Sequence, residues 1–217
     1  MWLKNHYMNS LTLQNISSYF NFQYPQYQNY KLIDEKRIGA TPFLQSNYGE
    51  ENDCTIMSIA TCIYYYVRQI NMPIPMFEIY AATRKIAKKY KYNDSTGTFF
   101  GFNKKIYEET LKYFNLKQKI NINFVKNVGF NFNTIKKSIL ENKPVVLSMA
   151  NDGRDYYKNH TVTIIGYQVY ELNDTDKNRI IQTKKINKNM LLVFDNWDLK
   201  TCLIDYDKLS YLSTICH

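Results

Sequence analysis

Glycine (seven), cysteine (four) and histidine (three) are all sparse in this chain of 217 residues, and the shortages narrow what it can be. The cysteines, Cys54, Cys62, Cys202 and Cys216, form no CxxC pair and no dense framework. A disulfide-stapled scaffold is therefore excluded, and a reduced, intracellular setting is the default expectation. Cysteines and histidines also lack zinc-ligand spacing, so no metal and no other cofactor is expected. No run approaches the roughly 18 apolar residues of a membrane span. Met1 to Phe20 has neither a continuous apolar stretch nor a small-residue cleavage site, so no signal peptide is read. The cytoplasm is the default location, with export by another route left open. The chain has no internal repeat.

Lysine, asparagine, isoleucine and tyrosine (20) are abundant. With the few glycines, this composition reads as an AT-rich coding bias rather than a functional signal. Hydrophobic residues are 45% and charged residues 22%, close to ordinary globular values, which argues against wholesale disorder. The formal net charge is +9. Such a charge suits nucleic acid, anionic membrane or acidic protein. The lysines are spread along the chain, however, without zinc-finger spacing or an RNA-binding aromatic signature. They read as a solvated surface, and no nucleic-acid partner is expected.

The length suits one domain with an extension. Residues 1–35, polar and aromatic with a short helix at Ser10 to Phe20, read as that extension, a docking segment or a propeptide. Residues 36–217 read as the domain. Ile38 to Asp53 is extended chain and loop, with Gly39-Ala40 a plausible processing region. Ile56, Ile59, Ala60, Ile63 and Val67 fall on one face of a helix starting at Cys54, with Asn52 or Asp53 as its cap. Further helices are expected at about Met76–Lys89, Lys104–Phe114 and Asn133–Glu141. Then the pattern changes. Pro144–Ala150, Thr161–Tyr170, Met190–Asp195 and Cys202–Tyr206 read as strands, with a lysine-rich hairpin excursion over Asp174–Asn189. Helices first and strands second indicate an α+β fold.

Cys54 begins the clearest helix. Unpaired N–H groups and the macrodipole put partial positive charge there, which favours the nucleophilic thiolate. His160 stands at the entrance of a strand, where a rigid element can hold a base within reach of a thiol. Asp195 ends the next core strand, in Phe194-Asp195-Asn196-Trp197. A polar group there can fix the tautomer of the base. Asn196 is the competing orienter, and Trp197 could cover the bond from water. Cys62, two helical turns beyond Cys54, and Cys202 read as structural thiols. Tyr64-Tyr65-Tyr66 covers all faces of its helix and reads as packing.

Cysteine, histidine and aspartate thus fall in order on a helix start, a strand entry and a strand end. This arrangement resembles the papain-like cysteine peptidase superfamily. The matching stretches are Asn52-Asp53-Cys54-Thr55-Ile56, Asn159-His160-Thr161-Val162 with Ile165-Gly166-Tyr167, Asp195-Asn196-Trp197, and Asn142-Lys143-Pro144-Val145-Val146 ahead of the histidine. The last three look most like the bacterial branch of leader-processing peptidases of bacteriocin exporters. The resemblance covers Ile38 onward. It implies a helical lobe against an antiparallel sheet, with the site in the cleft between them.

It also implies a glutamine ahead of the cysteine as an oxyanion donor. Gln45, nine residues upstream, is the candidate, with Asn47 and Asn52 as alternatives. Three features depart from the pattern. Gln45 stands further ahead of Cys54 than expected, Thr55 stands where many relatives have glycine, and His160 and Asp195 are 35 residues apart, longer than usual, which the lysine-rich excursion would explain. The implied activity is hydrolysis of a peptide or protein substrate through a Cys54 thioester. An acyltransferase or deamidase using the same triad, a silent peptide-binding module and a basic nucleic-acid binder are the other readings. Oligomeric state is not legible.

Overall fold

The computed structural model describes residues 11–27, 29–49, 52–120, 123–126, 131–151, 157–173 and 185–216. After a short N-terminal helix, α1 (Ile16–Gln23), the chain forms a strand, β1 (Asn29–Arg37). Three helices follow: α2 (Cys54–Gln69), α3 (Met76–Lys88) and α4 (Asn103–Tyr113). The rest is mostly sheet: β2 (Asn123–Lys126), β3 (Val145–Asn151), β4 (Lys158–Asn173), β5 (Ile186–Phe194), β6 (Cys202–Asp205) and β7 (Ser210–Cys216), with α5 (Phe132–Leu140) ahead of β3. Every described strand pairing is antiparallel. The α+β architecture expected from the residue order is the one observed.

The sheet runs β2-β7-β3-β4-β5-β6, with β1 also pairing to β4. The long β4 explains this branching. Its first half pairs with β3, from Lys158 to Ile164, and its second half with β1, from Gly166 to Asn173. β3 and β1 thus stand end to end along one edge of β4. Glycine is needed where the two meet. A Cβ at Gly166 would lie 2.5 Å from the Lys36 carbonyl oxygen and 2.8 Å from Leu192 Cδ1. On the other edge, β5 pairing begins only at Thr163. The first residues of β4, which include His160, have no strand partner on that side among the described residues.

The alternation of β3 divides the core. Val146 joins the cluster formed by α2, α3 and α4, including Ile56, Ile59, Ile63, Ile79 and Ile106. Val145 and Leu147, on the opposite face, join a second cluster with Ile135 and Ile139 of α5. Leu11, Ile16, Tyr19, Phe20 and Tyr24 belong to that second cluster. Helices therefore cover both faces of the sheet. Among the described residues, no helix is long and apolar enough to cross a membrane.

Several details differ from the sequence expectations. The N-terminal helix is shifted to Ile16–Gln23, and the residue 35/36 boundary falls inside β1. Helix α5 starts at Phe132 rather than Asn133 and is capped by Asn131, whose side chain accepts from Thr134 N–H at 3.0 Å. Residues 186–189, expected in the excursion, are part of β5, and 174–184 lie outside the described residues.

One buried carboxylate ties the N-terminal segment to the sheet. Asp205, fully buried at the end of β6, accepts from the hydroxyls of Tyr19 and Tyr24, each at 2.7 Å. Leu203 N–H of β6 donates to the Leu11 carbonyl. Burial, then the Asp205 carboxylate, push the Tyr24 phenol well above its ordinary range, so it remains a donor. Asp205→Ala removes the acceptor from two tyrosines. It is expected to lower unfolding free energy by about 3 kcal/mol, read as a lower urea midpoint. Tyr24→Phe, which leaves Tyr19 paired, is expected to cost about 1 kcal/mol.

Candidate active site

Helix α2 begins at Cys54 because the apolar repeat Ile56, Ile59, Ile63 and Val67 is buried against α3 and α4. Its N-cap residue is Asp53, but the Asp53 side chain makes no cap. The carboxylate turns away, completely buried, to the hydroxyls of Tyr80 and Tyr92, with Arg84 Nε at 3.5 Å. Arg84 also pairs with Asp94 at 2.6 Å. Asn52 completes this support, donating from Nδ2 to the carbonyls of Asp94 and Ser95, both at 2.9 Å. The turn that delivers Cys54 is therefore held by α3 and by the loop after it. Gly49 leaves room for this: any Cβ there would collide with the Tyr80 hydroxyl and the Asp53 carboxylate.

Cys54 is partly exposed, and its sulfur is hydrogen-bonded to His160. Burial acts to raise the thiol. The bond to His160, its charge, and bonds from the Thr161 main chain and hydroxyl outweigh that, and the thiol lies below its ordinary value. His160 is 4% exposed. Burial acts to lower its imidazolium, but Cys54 and Asp195 outweigh it, and its value lies above the ordinary one. Each shift is in the direction that the charged form of the other group favours.

His160 Nε2 lies 2.9 Å from the main-chain carbonyl of Asp195. A carbonyl only accepts, so Nε2 carries the hydrogen and Nδ1 is left for Cys54. The Asp195 carboxylate contributes charge rather than this bond. It is buried and accepts from Tyr157 Oη (2.7 Å), Cys202 Sγ (3.3 Å) and the N–H groups of Trp197 (3.0 Å) and Asp198 (3.3 Å). Trp197 stacks on the imidazole at a centroid distance of 4.2 Å, and Tyr157 at 5.2 Å. These rings limit water around the ring pair.

The side chain of Asn196, the competing orienter, is aimed elsewhere: Nδ2 donates to Ser58 Oγ at 3.0 Å. Its backbone is left-handed (φ 66°), and its carbonyl accepts from Gln45 N–H at 2.8 Å. Gln45, buried on the short turn Gln45–Asn47, is thereby tied to the same Asp195-Asn196 turn. Asn47 is exposed and Asn52 is committed to the 94–95 loop. Sequence reading overlooked Tyr157, Ser58, Ser148, Asn103 and Thr161. Each is a common residue on an element whose neighbour is far away in the chain. Cys202, read only as structural, is also a donor to Asp195.

With this geometry in hand, comparison with known proteins gives a class. The sequence model of the Peptidase_C39 like family matches residues 24–200. The chain belongs to that family, and so to the papain-like cysteine peptidase superfamily. Among solved structures, a proposed C39-like peptidase from Bacillus anthracis is 16% identical, with a TM-score of 0.49, over 84% of this chain and 96% of that one. No curated protein matches.

The electrostatics carry a direct expectation. The rate of Cys54 alkylation by iodoacetamide should have its midpoint below the roughly 8.5 of an unperturbed thiol. His160→Ala should move that midpoint upward, because burial then acts with less opposition. Peptide mapping of alkylated protein across pH, with Cys62 as internal comparison, reads both.

Proposed function

We propose that the protein is a cysteine peptidase in which Cys54 is the nucleophile, His160 the general base and acid, and Asp195 the orienter. The observation that carries this reading is the Cys54–His160 hydrogen bond, with the thiol lowered and the imidazole raised. The thiolate adds to the carbonyl carbon of a peptide or protein substrate. Helix-terminal N–H of Cys54 and the amide of Gln45 serve as oxyanion donors. His160 Nδ1 gives its proton to the leaving amine, and a thioester remains on Cys54. His160 then deprotonates a water that attacks the thioester, releasing the acid and restoring the thiol. No metal enters these steps.

Asp195 acts in two ways in this scheme. Its carbonyl fixes the ring through Nε2–H, and its carboxylate stabilises the imidazolium. Residues 11–27 serve as a clasp on the sheet, a reading supported by their bonds to Asp205 and Leu203.

The test is incubation with unlabelled peptide libraries and detection of new termini by mass spectrometry. Cleavage is expected, and Cys54→Ala should lower it by more than about 10³-fold. Cleavage that persists in Cys54→Ala would overturn the assignment. An acyl group captured on Cys54 but passed only to an added amine would make the protein a transferase. Asp195→Asn keeps the main-chain carbonyl. It should therefore cost less than the about 10⁴-fold loss known where a carboxylate itself carries the histidine bond. Activity requires thiolate and imidazolium together. It should fall below the lowered Cys54 value and again above the raised His160 value, giving a bell-shaped profile.

A further inference from the structure

Asn196 is a buried amide that the proposed reaction leaves without a task. It follows Asp195 directly, and its Nδ2 donates to Ser58 Oγ at 3.0 Å. Ser58, fully buried on α2, donates in turn to the Thr161 carbonyl of β4 at 3.1 Å. The Ser58 carbonyl also accepts from Thr163 Oγ1 of β4 at 3.4 Å.

Three elements therefore meet at the Ser58 hydroxyl, and each carries one of the residues Cys54, His160 and Asp195. Helix α2 brings Cys54, four positions before Ser58 and on the same helical face. Strand β4 brings His160, next to Thr161. The turn after β5 brings Asp195, next to Asn196. A fourth segment joins through the main chain, because the Asn196 carbonyl accepts from Gln45 N–H at 2.8 Å.

The hydrogen count fixes the directions. A main-chain carbonyl only accepts, so the one Ser58 hydroxyl hydrogen goes to Thr161. Asn196 must then present its NH2, since its oxygen would meet a Ser58 oxygen with no hydrogen left to give. Asparagine also tolerates the left-handed backbone required at this position (φ 66°). The Asp195 carboxylate is held by Tyr157, Cys202 and the N–H groups of its own turn, none of which lies on α2. The reach from this turn to the helix of Cys54 is made by the Asn196 side chain.

We propose that Asn196 and Ser58 are positioning residues, whose hydrogen-bonded chain to the Thr161 carbonyl holds the Asp195 carbonyl against His160 Nε2 at a fixed place relative to the head of α2. The proposal rests on Cys54 acting as nucleophile and His160 as its base. The acceptor of the ring bond is the peptide group between Asp195 and Asn196, 2.9 Å from Nε2. Released from Ser58, that peptide is free to turn, and the imidazole loses part of its restraint.

Asn196→Gly is the informative variant. Glycine adopts the same φ freely and keeps the main-chain carbonyls that serve His160 and Gln45, so only the amide is removed. Ser58→Ala removes the hydroxyl and keeps the carbonyl for Thr163. The Nε2–H of His160 is observed by NMR in full-length protein labelled at its histidine nitrogens, and assigned by its loss in His160→Gln. Each variant should raise its exchange with water by about 10-fold at fixed pH, the scale of one hydrogen bond. Asn196→Gly added to Ser58→Ala should raise it no further, because Asn196 acts through Ser58. On a peptide that the wild type cleaves, each should lower kcat by about 10-fold and leave KM unchanged. A variant that is folded by thermal melting and exchanges at the wild-type rate overturns the proposal, as does an additive double variant. Should one single variant fail to fold, the other decides alone. A wild type that shows the Nε2–H signal but cleaves no peptide is a different result: it removes the peptidase reading, while the exchange rates still decide the proposal.

Discussion

The contact between the Cys54 sulfur and the His160 ring sets the terms for the surrounding structure. Burial alone would leave both groups neutral, since each loses hydration when charged. Their mutual charge and hydrogen bond reverse that preference, provided the two side chains are held together. Holding them is demanding, because one is the first residue of a helix and the other lies at the entrance of a strand more than a hundred residues later.

Three supports meet that demand. On the helix side, the buried Asp53 carboxylate is gripped by Tyr80, Tyr92 and Arg84, and this fixes the turn into α2. On the strand side, the Asp195 carbonyl, Trp197 and Tyr157 fix the imidazole plane. Between them, Thr55, Ser58, Ser148, Thr161 and Asn103 form a polar seam through an otherwise apolar junction. Hydrogen bonds in such a seam have a preferred geometry that apolar packing lacks, and they set the approach of helix to sheet.

The α+β layout was legible because the apolar periodicity changes from helical to alternating near residue 144 and the helix start carries its own signal. Cys54, His160 and Asp195 stood out by residue type and by lying at element ends. Three strands were not legible. β1 has only one apolar pair, Leu32-Ile33, among charged residues and owes its strand form to β4. β2 is four residues long, and β7 ends the chain without a clear alternation. Their pairing is imposed by neighbours distant in sequence, which local propensity does not report.

The sequence by itself determined that helices come first and strands second, and it singled out a thiol, an imidazole and an acid as candidates, because those follow from local pattern and side-chain chemistry. Only the tertiary structure decided how they are connected. It gave the ring bond to the Asp195 carbonyl rather than the carboxylate, turned Asn196 toward Ser58, and brought Thr55 and Ser148 to the Thr161 hydroxyl. The physical reason is the same in each case. Hydrogen bonds depend on the direction of donors and acceptors, and those directions exist only after the helix and the sheet have packed.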